Sequence, residues 1–126
     1  MESKIFVYGS LKPGGWLHYL IEDSVERPQS GWVKGDMYNV GGRYPALALG
    51  SDSRVHGILY YVRDDIDREV LFQRLDRAEG YPTLFDRMSM LVYGEPFGAV
   101  MATVYYGVDD RLFKNPIVEN GIWEVS

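Results

Sequence analysis

The chain contains no cysteine and only two histidines, His18 and His56, among its 126 residues. Thiol nucleophiles, disulfides, iron–sulfur clusters and thiolate zinc sites are excluded together. Two histidines far apart in sequence would leave a transition metal to carboxylates, so no metal is expected. Basic residues are scarce too: 13 Lys and Arg against 18 Asp and Glu give a net charge of −5. That is the wrong sign for gripping a phosphate backbone, and nucleic acid is not an expected partner. Long apolar runs are also missing. The start offers only Ile5–Tyr8 before Gly9, short of the roughly 7–15 apolar residues of a secretory signal. The weakly polar stretch Gly98–Gly107 falls well below the ~20 residues that span a bilayer. The expectation is a cytoplasmic protein with no membrane partner.

What is present is ordinary for a globular protein: 46% apolar and 25% charged residues can bury a core without a metal or disulfide staple. No repeat, linker or charge block divides the chain, so residues 1–126 read as one domain. Carboxylates, tyrosines, serines and backbone amides are left to carry any chemistry. The sequence assigns no oligomeric state.

Most of the chain has the pattern of strands. Lys4–Tyr8 is a nearly continuous apolar run, as expected of a strand covered on both faces. Gly9-Ser10-Leu11-Lys12-Pro13-Gly14-Gly15 cannot continue it and reads as a loop, followed by a short helix near Trp16–Glu22. Ser30–Val40, Pro45–Leu49 and Val55–Val62 read as further strands. The period then changes: Ile66, Val70, Leu71, Leu75 and Ala78 recur at helical steps, with Asp64 or Asp65 as the expected N-cap. Leu84–Glu95 and Ala99–Tyr106 read as strands joined through Glu95-Pro96-Phe97-Gly98 in a hairpin. The expected fold is α+β, a small, strongly curved mixed β-barrel of about six strands with flanking helices.

Two places break local rules. The loop has the spacing of a phosphate loop from Gly9 to Gly14, but Gly15 and Trp16 stand where Lys and Ser/Thr are required, so the nucleotide reading fails. A glycine-bearing turn after a buried strand can still aim backbone N–H groups at an anion or a polarised carbonyl. The plainer alternative is a simple strand-to-helix turn. Glu79 is the second place. Counting by fours from Leu71 through Leu75 reaches it, so a carboxylate extends the apolar stripe just before the helix-stopping Gly80. Burial and the negative end of the helix dipole both raise a carboxyl pKa toward the range useful for proton transfer. The plainer alternative is an ion pair with Arg77 or Arg87. A triad of Ser10 with a histidine and an aspartate lacks the G-x-S-x-G elbow, and for Tyr105 and Tyr106 packing is preferred over the alternative that they line a cavity.

The loop and the glutamate together carry a resemblance. Phe6-Val7-Tyr8-Gly9-Ser10-Leu11 with Gly14, Gly35-Asp36-Met37-Tyr38, Tyr44-Pro45-Ala46, Val55-His56-Gly57-Ile58-Leu59-Tyr60, Leu75-Asp76-Arg77-Ala78-Glu79-Gly80-Tyr81 and Gly121-Ile122-Trp123 follow in order. In these motifs the chain resembles the gamma-glutamylcyclotransferase-like family, of the gamma-glutamylamine cyclotransferase type. One departure is Phe85-Asp86-Arg87, where the family pattern has Tyr-x-Arg. The resemblance implies a barrel with a pocket at one mouth, Glu79 as general acid/base, and Tyr8, Gly9, Ser10 and Leu11 as the substrate-binding loop. It implies release of 5-oxoproline from a small gamma-glutamyl compound with no cofactor. A non-catalytic module binding gamma-glutamyl-like ligands, and an amide hydrolase using the same glutamate, are the alternatives.

Overall fold

The computed structural model describes residues 3–125. Its elements are β1 (Lys4–Val7), β2 (Val25–Lys34), β3 (Asp36–Val40), β4 (Tyr44–Ala48), β5 (Arg54–Val62), α1 (Arg68–Glu79), β6 (Phe85–Gly94) and β7 (Gly98–Gly107). Five strands close a barrel in the order β1-β5-β2-β6-β7, and β3 and β4 form a two-stranded sheet beside it. β1 pairs antiparallel with β5 and parallel with β7, where Ile5 meets Thr103, so the barrel is mixed.

The apolar run of β1 is buried on both faces because two cores meet at it. Phe6 packs with Val33, Val55, Leu59, Val92 and Val104, one or more from every other barrel strand, and so fills the barrel. Its neighbours Ile5 and Val7 point the opposite way, into a cluster that includes Leu71, Phe72 and Leu75 of α1. The helix thus lies on the outside of the barrel, against the strand that leads into the loop.

Three expectations need correction. The strand anticipated over Ser30–Val40 is two strands, broken at Gly35, and the first of them begins earlier, at Val25. Its opening was hidden because Glu26-Arg27-Pro28 reads as a breaker: Arg27 has φ 55°, and the register slips between Glu26 and Gln29, as befits a proline that cannot donate to the ladder. The helix expected near Trp16–Glu22 is only a 3-10 turn, His18–Leu20. The N-cap of α1 is Asp67, not Asp64 or Asp65. Its carboxylate accepts from Glu69 N and Val70 N at 3.0 and 3.3 Å, while Asp65 is engaged by Arg63.

That shift turns the helix. Ile66 stands outside it and packs in the same cluster as Leu71, as a hydrophobic staple does. Val70, expected on the stripe, is exposed, and Phe72 takes its place in the core. The helix ends on Gly80 in the left-handed region, φ 66°, with Gly80 N bonded to Arg77 O and Tyr81 N to Asp76 O. This pair of bonds is a Schellman ending, which suits glycine because it carries no Cβ. It fixes the last turn that carries Glu79. No helix among the described residues is long and apolar enough to cross a membrane.

Candidate active site

The loop after β1 is pinned from both sides. The Tyr8 hydroxyl donates to Tyr105 O at 2.9 Å and accepts from Leu47 N at 3.1 Å, tying the end of β1 to β7 and β4. Burial, with the nearby charge of Glu79, pushes the phenol far above its ordinary pKa, so Tyr8 is a neutral clamp. Beyond it, Lys12 N bonds to Gly9 O at 2.9 Å and Leu17 N to Ser10 O at 3.0 Å. Among the described residues, the turn's own bonds use the carbonyls of Gly9 and Ser10, and none of them uses the N–H groups of Gly9, Ser10 or Leu11. His18 Nδ1 lies 2.8 Å from Leu11 O and steadies the same turn. The Ser10 hydroxyl is buried without a hydrogen-bond partner, so neither histidine is seated as a base for it. Buried polar groups are nearly always satisfied, and an orphan hydroxyl on a cavity wall is a place for a ligand.

Glu79 closes α1 from the other side. It is half-buried, and burial raises its carboxyl from 4.5 to about 7. Burial is the cause of this shift. No ion pair among the described residues reaches Glu79. Arg87 is held by Asp76 instead, Nε to Oδ1 at 2.8 Å and Nη2 to Oδ2 at 3.2 Å, and the Tyr105 hydroxyl donates to the same carboxylate at 2.7 Å. The guanidinium that might have neutralised Glu79 is committed one turn back.

Tyr8, Gly9, Ser10, Leu11 and Glu79 all line one cavity of about 130 Å³. That is roughly ten times what one water requires by the same measure. The rest of the wall is apolar or aromatic, with Trp16, Tyr44, Phe85 and Tyr105 prominent, and no lysine or arginine contributes to it. Phe85, where the family pattern has tyrosine, is almost fully buried and packs at a tilt against Tyr44, 6.1 Å between centroids. Sequence reasoning missed three parts of this arrangement. Tyr105 was assigned to packing, although it both lines the cavity and holds Asp76. Asp76 and Arg87 were each visible inside quoted motifs, but nothing in their spacing says that they meet. Trp16 gave no signal beyond standing in a glycine-rich loop.

A closed mixed barrel, with the Gly9–Leu11 turn and Glu79 on one cavity at its side, is a cyclotransferase-like fold. Residues 5–125 match the family described as gamma-glutamyl cyclotransferase, AIG2-like, and the chain belongs to that family. Solved structures agree on the fold. An AIG2-like protein from Mus musculus superimposes with a TM-score of 0.75 at 23% identity, over 94% of this chain and 86% of that one. YkqA from Bacillus subtilis gives 0.74 at 19% identity over 98% of this chain, which spans only 40% of YkqA. A structure named gamma-glutamyl cyclotransferase gives 0.58 at 13% identity, over 86% of this chain and 68% of that one. No curated protein matches the chain in sequence.

Proposed function

We propose that the protein is a cofactor-independent gamma-glutamyl cyclotransferase, releasing 5-oxoproline and an amine from a small gamma-glutamyl compound. The observation that carries this reading is the unpaired Glu79, titrating at about 7, on the same cavity wall as the Gly9–Leu11 turn.

The substrate brings its own nucleophile, so none is asked of the protein. Folding the gamma-glutamyl group so that its α-nitrogen faces the γ-carbonyl supplies a proximity advantage that reaches about 7–11 kcal/mol in good intramolecular cases. Glu79, as carboxylate, takes a proton from the α-ammonium. The freed amine attacks the γ-carbonyl carbon and forms the ring C–N bond. Glu79, now protonated, returns the proton to the departing nitrogen as the old C–N bond breaks. Ring closure strips two protons from the attacking nitrogen; one leaves with the amine by this route and the second passes to solvent or to that amine. A carboxyl near pKa 7 suits both halves of the task, worth about 10²–10⁴-fold. With no lysine or arginine on the wall, the Gly9–Leu11 amides and the Ser10 hydroxyl are left to hold the substrate's carboxylate or the developing oxyanion.

The test is 5-oxoproline release from a panel of gamma-glutamyl amines and peptides by wild type and Glu79→Gln. Release by wild type that collapses in the variant is the expected result. Equal release by both removes Glu79 from the mechanism. Binding without release marks a non-catalytic module, and free glutamate in place of 5-oxoproline marks a hydrolase.

A further inference from the structure

Trp16 is 66% exposed and at the same time forms part of the cavity wall. A lone exposed aromatic needs no explanation. This one stands at the open end of a cavity whose inner end, Tyr8–Leu11, is buried. It is held there by its neighbours: Gly15 N bonds to Lys12 O at 2.8 Å and Leu17 N to Ser10 O at 3.0 Å. A Cβ on Gly15 would lie 2.2 Å from Ser10 O, so the turn that presents Trp16 has no slack for a side chain there.

The charge inventory of the open end is the second observation. Among the described residues, Glu79 is the one charged residue on the wall. Lys12 Nζ is held by Trp123 O and Arg87 by Asp76. The His18 ring lies on Leu11 O. A carboxylate entering the open end would meet no lysine or arginine on the wall among the described residues, and a second ammonium would compete for the one carboxylate that the reaction uses. Neither gains an ion-pair partner on the wall for the hydration it gives up there.

We propose that the open end is a leaving-group subsite for an uncharged, apolar or aromatic amine substituent, with Trp16 as the contact that determines specificity. The proposal rests on the cyclotransferase reading. The gamma-glutamyl head occupies the buried end, where Glu79 and the loop amides are, and the departing amine faces Trp16 and leaves past it. A flat ring or an alkyl chain there packs on the aromatic wall to which Trp16 and Tyr44 both belong.

Calorimetry on Glu79→Gln protein reads the subsite without turnover. The probes are gamma-glutamyl-phenethylamide, gamma-glutamyl-ethylamide, which lacks the ring, gamma-glutamyl-phenylalanine, which adds one carboxylate, and gamma-glutamyl-putrescine, which ends in an ammonium. The phenethylamide binds about tenfold or more tightly than the other three, and Trp16→Ala in the same background brings the phenethylamide and the ethylamide within about threefold. Trp16→Phe keeps most of the preference. In the otherwise wild-type protein, Trp16→Ala raises KM for the phenethylamide and leaves kcat nearly as it was. Equal affinities, or an advantage of the phenethylamide over the ethylamide that survives Trp16→Ala, overturn the subsite. A preference in binding with no 5-oxoproline from any compound upholds the subsite and overturns the cyclotransferase reading instead.

Discussion

Asp76 and Glu79 stand three residues apart on the last turn of one helix, and their surroundings differ in kind. Asp76 faces the outer side of β6 and β7. Burial there raises its pKa, but hydrogen bonds from Arg87 and Tyr105 outweigh it and hold the carboxyl below its ordinary 3.8. Glu79 faces the cavity, receives no such bonds, and is raised to about 7 by burial alone. One carboxylate is spent on the fold and the other is left without an ion-pair partner among the described residues. The pairing is also selective, because the arginine that satisfies Asp76 is thereby withheld from Glu79.

Linkage gives the two groups opposite signatures. Asp76, with a depressed folded pKa, contributes stability that is present above about pH 4 and is lost as pH falls through its folded value. Glu79, with a raised folded pKa, binds its proton more tightly folded than unfolded. It therefore costs stability as pH rises from 4.5 to about 7, and the cost stays in place above that.

The largest expected effect comes from removing the unpaired member, on the proposed function. Glu79→Gln lowers 5-oxoproline release by about 10²–10⁴-fold. At pH 8 the same variant is more stable than wild type, because the displacement from 4.5 to about 7 corresponds to at most about 3 kcal/mol. Urea unfolding at pH 8 and pH 4.5 checks this, with the gain vanishing at the lower pH. A variant less stable than wild type at pH 8 contradicts the picture of an unpaired, buried carboxylate.

Next comes the structural member. Asp76→Asn costs about 1–3 kcal/mol through the broken ion pair and hydrogen bonds, read as a lower urea midpoint at pH 7. It also releases Arg87 toward Glu79, whose titration, followed by NMR of the side-chain carboxyl, moves below 7. If Glu79 titrates as before, Asp76 is not what keeps the guanidinium away. The smallest effect belongs to Tyr105→Phe, which removes one hydrogen bond to Asp76 and keeps the backbone carbonyl that Tyr8 uses. A loss of about 1 kcal/mol is expected. Acid unfolding begins at a higher pH than in wild type, since Asp76 has lost a bond that favours its charged form.

The barrel was largely legible because β-branched and aromatic runs are punctuated by turn residues, and the β6–β7 hairpin was found where Pro96 and Gly98 place it. The helix was found from its period but misplaced at its start. Asp64 and Asp65 were the expected caps, and only the reach of the Asp67 carboxylate to two amides shows that it is the cap instead. Glu79 was legible because it violates a pattern, a charge extending an apolar stripe next to a stop signal. The Arg87–Asp76 pair was not, because it joins α1 to β6 through barrel curvature that no local spacing encodes. Trp16 was illegible for a similar reason: its place on the cavity depends on how the turn folds back on Ser10.

The central claim is that Glu79 moves the proton. The pH dependence of kcat/KM for 5-oxoproline release tests it most directly. The raised carboxyl predicts a rising limb centred near pH 7, where Glu79 becomes carboxylate in the free protein. A limb centred near 4.5, the ordinary glutamate value, or a rate flat between these two pH values, would contradict it.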